Sequence, residues 1–320
     1  MNILAAFGKD DLATVYLGRF GDEVGRTVEF VESLQPPWPR EQKWVLIVSS
    51  MFGCPVGCRM CDAGGRFAGV LSAAEIFAQI DHLVLRRYPN GRVPAAKFKI
   101  QFARMGEPSL NPAVLEVLER MPARFEAPGL NVSLSTVAPA SGRARAFFKD
   151  LARIKDEAYG GGRFQLQFSL HTTDERRRKE LIPVDGLSFA EIAAYGRAFS
   201  RPASGDKKIT LNFAPVAGYP MDAAELRRTF DPGQFLIKLT PLNPTLRASR
   251  ENLTSALDPL DADDCEACVA RFKSEGFDVL LSIGELEENR IGSNCGQYVQ
   301  SALAASARPQ GSYELDRYRI

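Results

Sequence analysis

The sequence predicts an α/β fold in which parallel strands alternate with crossover helices and close part-way into a barrel. Two observations carry this reading. Strand-like and helix-like stretches alternate from Lys43 to about Val216 and beyond, the rhythm that parallel strands joined by helices impose. The length, 320 residues, suits one closed α/β unit with a single large core, and no internal repeat or low-complexity block interrupts it.

Each element follows in order. ATVYLGRF and TVEFVESL, β-rich on either side of Gly21, read as a short N-terminal β-hairpin, and QPPWPRE after them reads as a linker. The barrel strands are WVLIVSS (44–50), KFKIQFA (97–103), LNVSLST (130–136), FQLQFSL (164–170), KITLNFA (208–214) and QFLIKLT (234–240). Their helices carry start signals. Ser72 with Glu75 and Ser188 with Glu191 are capping boxes, Asn111-Pro112 supplies a cap with proline in the first turn, and Asp222 caps AAELRRTF. A further apolar run, FDVLLSI (277–283), follows a helix at about 262–275 and supplies a candidate closing strand. The expected organisation is a hairpin extension and linker over 1–42, a partial (β/α)6 TIM-like barrel over 43–300, and a C-terminal tail over 301–320 that is either docked or frayed.

Lys+Arg 40 against Asp+Glu 39 leaves a net charge of +1, so no global attraction draws the chain to phosphate polymers or anionic lipid. No apolar run is long enough to span a bilayer, and MNILAAFGKDD turns charged too soon for a secretory signal, which places the protein in the cytoplasm with no membrane partner. Six cysteines in so long a chain point to metal or redox use rather than a disulfide framework. Only two histidines occur. His82, at helical spacing with Ile76 and Ile80, reads as structural. The run Arg176-Arg177-Arg178-Lys179, flanked by acids, reads as a solvated helix face.

The most informative segment is SSMFGCPVGCRMCDAGG, which sets Cys54, Cys58 and Cys61 in a C-x3-C-x2-C spacing just after the first barrel strand. Three thiolates within eight residues bind three irons of a 4Fe-4S cluster and leave the fourth open, and an open position is what catalysis requires. A barrel of parallel strands places its chemistry at this end. The competing reading is a structural zinc site, with Cys265 and Cys268 as a second pair.

This spacing resembles the signature of the radical S-adenosylmethionine superfamily, whose partial barrel the strands above fit, with Met60 in place of the usual aromatic before the last cysteine. VSSMFGC, FARMGEPSLNP, VSLSTVAP, QFSLHTTDERRRKELIP, PLNPT and SNCGQY narrow the likeness to the RlmN/Cfr-type methyltransferases that act on adenosine in RNA, from about Val45 to Tyr298. The resemblance implies that the cluster's unique iron chelates S-adenosylmethionine and that reductive cleavage yields a 5′-deoxyadenosyl radical. It implies that Gly106 and Glu107 hold the cofactor's amino group, and that Ser135, Thr136 and Ser169 reach its carboxylate or ribose. His171 would line the pocket, and Asn243 would offer its amide to ribose hydroxyls. Cys295 falls where the branch keeps a methyl-carrying cysteine, whose S-methyl, once a radical, adds to an sp2 carbon.

Two departures qualify the likeness. The branch resolves its covalent adduct with a second cysteine in the first strand, and the aligned position here is Ile47. Cys265, Cys268 or an outside thiol would have to replace it, or the reaction differs. The branch also carries a helical accessory domain ahead of the barrel, where about forty residues with hairpin character precede Trp44 here. With the near-zero charge, this favours a small-molecule, peptide or nucleoside-containing substrate over RNA, with flavodoxin or ferredoxin as electron donor. The expectation is therefore C-methylation through Cys295. Direct hydrogen abstraction without a methyl carrier is the alternative within enzymes, and a non-catalytic RNA-binding or assembly factor is the alternative outside them.

Overall fold

The computed structural model describes residues 1–320, apart from the Val24 side chain. Its main sheet has ten strands in chain order. β1 (Asn2–Gly8), β2 (Ala13–Arg19) and β3 (Thr27–Ser33) form an antiparallel meander. β3 then pairs antiparallel with β4 (Lys43–Val48) through Val31 and Ile47. From β4 onward all neighbours are parallel: β5 (Lys97–Phe102), β6 (Leu130–Thr136), β7 (Phe164–Ser169), β8 (Ile209–Phe213), β9 (Phe235–Leu239) and β10 (Asp278–Leu281). The run at 277–283 therefore does supply a further parallel strand. Residues 1–42 share the barrel's sheet, and β1, which the hairpin reading omits, is its outer edge.

Alternation along each strand separates two faces. On β5, Phe98, Ile100 and Phe102 are buried against the helices, and Lys99 and Gln101 on the opposite face are only half-buried. β6 and β7 repeat this, with Val132 and Leu134, or Leu166 and Phe168, turned to the helices. The outer face thus builds the core with Trp44, Ile80 and Phe147, and the inner face lines a polar lumen.

The helices begin where their caps dictate. α1 (Ala73–Arg87) and α5 (Phe189–Phe199) both start with complete capping boxes, from Ser72 with Glu75 and Ser188 with Glu191. Asp222 caps α6 (Ala223–Thr229) through the Glu225 amide. Ahead of α2 (Ala113–Arg120), Asn111 accepts from the Ala113 amide at 3.0 Å and donates to the Ser50 and Leu71 carbonyls, tying this helix start to the loop after β4. His82 packs its ring against Tyr16 and Phe30, the structural place expected of it.

The C-terminal tail is docked. α9 (Leu286–Ile291), α10 (Val299–Leu303) and α11 (Leu315–Tyr318) bury Ile291, Val299, Tyr313 and Leu315 against Phe7, Val15 and Val31 of the N-terminal strands. Arg319 bridges to Phe7, and the Ile320 amide donates to Ala6. Among the described residues no helix is long and apolar enough to cross a membrane.

Candidate active site at the strand C-termini

The loop that leaves β4 is fixed at both ends before it presents its cysteines. The Ser49 amide donates to Gln79 Oε1 at 2.9 Å, and the Ser50 amide to the Met105 carbonyl at 2.8 Å. Gly53 has φ +73, and a Cβ there would collide with the Arg66 carbonyl. Beyond it Cys54, Cys58 and Cys61 lie close together, since Cys58 feels the charges of Cys54 and Cys61, and Cys61 feels that of Cys54. Val56, Met60, Ile182 and Val216 cover one side of the trio; Ala63, Met105 and Tyr298 cover the other.

Burial pushes the Cys54 thiol up to about 11, the Cys61 thiol up to about 12, and Cys58 well above its ordinary value. Such thiols ionise only opposite a cation. The amides of Val56, Gly57 and Gly106 point at the Cys54 sulfur, as amides do around metal-bound thiolates. Among the described residues no group of three or more His, Cys, Asp or Glu side chains is placed to hold a metal ion. Cysteine sulfurs in one loop, approached by backbone amides, are the donor set that an iron–sulfur cluster uses. Cys265 and Cys268 take no part, because both are buried in the main core on α8 (Ala262–Lys273), where the Cys265 thiol donates to the Asp258 carbonyl. The second pair that a zinc reading needs is therefore elsewhere.

The MGEP turn follows β5 and lies against this loop. Gly106 has φ +100, and a Cβ on it would stand 2.6 Å from the Met51 side chain. Glu107 is buried, and its carboxylate is held on two sides. Oε1 accepts from the Ser109 amide (3.1 Å), the Ser109 hydroxyl (2.7 Å) and the Thr136 hydroxyl (2.5 Å), and Oε2 accepts from the Val137 amide (2.8 Å). Desolvation raises its pKa against these donors. Oε2 keeps a lone pair for a further cation. Thr136 spends its hydroxyl on Glu107 and on the Ala138 amide, so the structure places it behind the carboxylate. Ser135 and Ser169 alternate onto the inner face and line the lumen.

His171 is buried at a positive φ of 66°, and its Nδ1 accepts from the Ala214 amide at 3.0 Å. Burial, with Arg178 nearby, lowers its pKa to about 4, so the ring is neutral at physiological pH and carries its proton on Nε2. The basic run corrects the expectation of a wholly solvated face. On α4 (Glu175–Leu181), Arg178 is buried and donates to the carbonyls of Val137 (2.7 Å), Ser169 (3.2 Å) and Leu187 (3.2 Å), fastening the ends of β6 and β7. Arg176 and Lys179 do face solvent, and Arg177 is half-buried over the Tyr219 ring.

Cys295 is exposed, in the turn between α9 and α10, near enough to Cys61 and Lys238 that each feels its charge. Asn243 donates its amide to the Cys295 carbonyl at 3.0 Å, so the amide expected to meet a ribose is engaged with the turn itself. The rest of the turn is held by residues that sequence reasoning missed. Arg104 and Glu29 form a fully buried ion pair at 2.9 Å. The guanidinium also binds the carbonyls of Gly292, Ser293 and Asn294, and the carboxylate accepts from the amides of Val299 and Gln300. Asp62, adjacent to Cys61, accepts from the amides of Leu246 and Arg247 and from the Tyr313 hydroxyl, while its own amide donates to Gly296. The sequence carries a signal for one of them: Glu29 is an acid inside the apolar strand TVEFVES, every residue of which is buried, whereas Arg104 and Asp62 lie in loops, where alternation gives no guide.

Ile47 packs against the C-terminal cluster that carries this turn. Neither the first strand nor, given the burial of Cys265 and Cys268, α8 offers Cys295 a second thiol.

No protein-family model matches the chain. The dual-specificity RNA methyltransferase RlmN of Helicobacter hepaticus is 27% identical over 275 residues, 83% of this chain and 69% of that protein. A probable dual-specificity RNA methyltransferase RlmN of Deinococcus deserti is 30% identical over 271 residues, 81% of this chain and 74% of that one. A solved radical SAM methyltransferase from Sphaerobacter thermophilus shares the fold, with a TM-score of 0.69 at 22% identity over 92% of this chain and 80% of that one. Streptococcus suis SuiB bound to S-adenosylmethionine shares it more loosely, with a TM-score of 0.51 at 14% identity over 77% of this chain and 51% of that one. Fold and relatives together define a radical S-adenosylmethionine enzyme, which works with a 4Fe-4S cluster and S-adenosylmethionine. Within that class the chain belongs to the RlmN-like methyltransferase family.

Proposed function

We propose that the protein transfers a one-carbon unit to an sp2 carbon of a small-molecule or nucleoside-containing substrate in the cytoplasm, with Cys295 as the methyl-carrying thiolate. The observation that supports this most is the position of Cys295, exposed beside the three-cysteine loop and held there by Asn243 and the Arg104–Glu29 pair. In this reading Cys54, Cys58 and Cys61 hold the cluster. Glu107 offers Oε2 to the cofactor ammonium over Gly106, Ser135 and Ser169 reach in from the lumen, and Asn243 holds the turn that carries Cys295. Thr136 holds Glu107 in place, and His171 shapes the pocket wall as a neutral ring. When bound, the cluster and S-adenosylmethionine supply an electrophilic methyl group and, after one-electron reduction by a flavodoxin or ferredoxin, a hydrogen-abstracting deoxyadenosyl radical.

Release of the adduct falls to a thiol from outside the chain. Its thiolate attacks the Cys295 sulfur, an S–S bond forms as the C–S bond breaks, and the electron pair passes to the substrate methylene, which takes a proton to become methyl. A second outside thiol reduces the mixed disulfide. The exposure of Cys295 supports this route. The named relatives methylate RNA. The near-neutral charge of this chain gives RNA little general attraction, so a smaller substrate is favoured.

The test uses full-length protein reconstituted without oxygen. With S-adenosylmethionine it should yield S-adenosylhomocysteine and a methylated Cys295 peptide, and 5′-deoxyadenosine once a reductant is added. The Cys295→Ala protein should yield no S-adenosylhomocysteine. Should wild type give deoxyadenosine alone, with Cys295 never methylated, the carrier role is lost and direct hydrogen abstraction takes its place.

A further inference from the structure

The inner face of the parallel strands is cationic, and its charge is not balanced from within. Alternation turns Lys99 of β5 and Lys238 of β9 into the lumen, and among the described residues neither has an acidic partner. Of the acids on these strands, Asp278 of β10 is already bound to Lys208 at 2.6 Å. Lys207 donates to Asn131 Oδ1 at 3.0 Å, and Lys43 and Lys97 stand side by side where β4 and β5 begin. Other inward side chains of β5 to β8, among them Gln101, Ser133, Gln167 and Asn212, are neutral and hydrogen-bonding. Asn212, level with Lys238 in the register, keeps a buried Oδ1 without a donor.

Such an arrangement is unfavourable by itself. Burial, then the charges of Lys238, Lys207, Lys97 and Lys43, lower the Lys99 ammonium to about 7, and burial lowers Lys238 as well. An entering anion would relieve both effects, because one-sign side chains in a shielded chamber concentrate counter-ions. Both ammonium groups belong to the inner face, where Lys99 feels the charge of Lys238, and the unpaired acceptor of Asn212 beside Lys238 adds a place for a hydroxyl or amine on the same ligand. Lys238 is also the lumen lysine that feels the charge of Cys295, which joins the chamber to the methyl carrier.

We propose that the lumen between Lys99 and Lys238 binds an oxyanion, a phosphate or carboxylate carried by the substrate. The proposal rests on the transfer reading above, in that it takes the lumen to be the substrate chamber. It narrows the substrate to an anionic one.

Calorimetric titration of the full-length protein with orthophosphate, and separately with malonate, tests it. One of the two should bind wild type and bind at least tenfold more weakly to Lys99→Met and to Lys238→Met. Which anion binds tells phosphate from carboxylate. Both variants should melt no lower than wild type, because each removes an uncompensated charge, and Lys→Gln at the same position serves if a Met variant fails to fold. Binding of neither anion, or equal binding by wild type and variants, overturns the proposal. Cys295 methylation is read separately on wild type by peptide mass. Anion binding without methylation removes the transfer reading and keeps the anion site, and methylation without anion binding does the reverse.

Discussion

Replacing Arg104 with methionine keeps most of the apolar stem and removes one charge from the centre of the structure. Arg104 and Glu29 are both buried, so their 2.9 Å contact is screened little by water. Deleting one partner of such a pair costs about 3–5 kcal/mol, because the other is left charged in a dry place. Two compensations act at once. Glu29 retains the Val299 and Gln300 amides, and the carbonyls of Gly292, Ser293 and Asn294 turn outward to water if the loop opens. The first lowers the cost, and the second limits it at the expense of the loop. The expected loss is thus about 3 kcal/mol of global stability, at the low end of that range. The turn carrying Cys295 should also become mobile.

Urea denaturation followed by circular dichroism reads the first quantity, with an unchanged slope as the check that only stability moved. The rate of Cys295 methylation reads the second and should fall at least tenfold. The double variant Arg104→Met/Glu29→Gln should be more stable than the sum of the two singles predicts, since no unpaired charge remains. Arg104→Lys should rescue little, because one ammonium cannot span a carboxylate and three carbonyls as a guanidinium does. An Arg104→Met protein within about 1 kcal/mol of wild type would refute the reasoning, because a surface ion pair behaves that way.

Three further outcomes follow from neighbouring geometry. Thr136→Val removes the donor 2.5 Å from Glu107 Oε1, so S-adenosylmethionine affinity measured by equilibrium binding should fall about tenfold, roughly 1.4 kcal/mol, and Thr136→Ser should restore it. Arg178→Met strands the carbonyls of Val137, Ser169 and Leu187 and should cost about 3 kcal/mol in urea, whereas Arg176→Met on the exposed face should cost almost nothing. His171 titrates at about 4 in the folded chain against 6.5 unfolded, so the unfolded state binds the proton first. Its contribution is complete above pH 6.5 and disappears as pH falls through 4, at most about 3 kcal/mol. His171→Gln should flatten that acid limb in melts across the range, and an unaltered limb would show that other groups set it.

What was legible in the sequence follows the range of the interactions. Capping boxes at Ser72 and Ser188 close over three residues, so their signals are complete within a short word and both helices start where expected. Strand alternation is equally local, which is why KFKIQF and FQLQFS announce themselves. β1 escaped because NILAAFG buries little and alternates weakly, and its position is set by β2 and the docked tail. The cysteine loop was legible through its spacing alone. The residues that aim it were not: Glu29 meets Arg104 across 75 residues, Arg104 meets Ser293 across 189, and Asp62 meets Tyr313 across 251. No window along the chain contains both ends of such a contact. The same separation hid Lys99 and Lys238, each of which is one lysine in an ordinary strand until the barrel closes and faces them inward together. Charges that look unremarkable one at a time therefore define this chamber, and a search of related sequences for function should weigh inward-facing positions of the strands above the cysteine motif, which identifies the chemistry and leaves the substrate open.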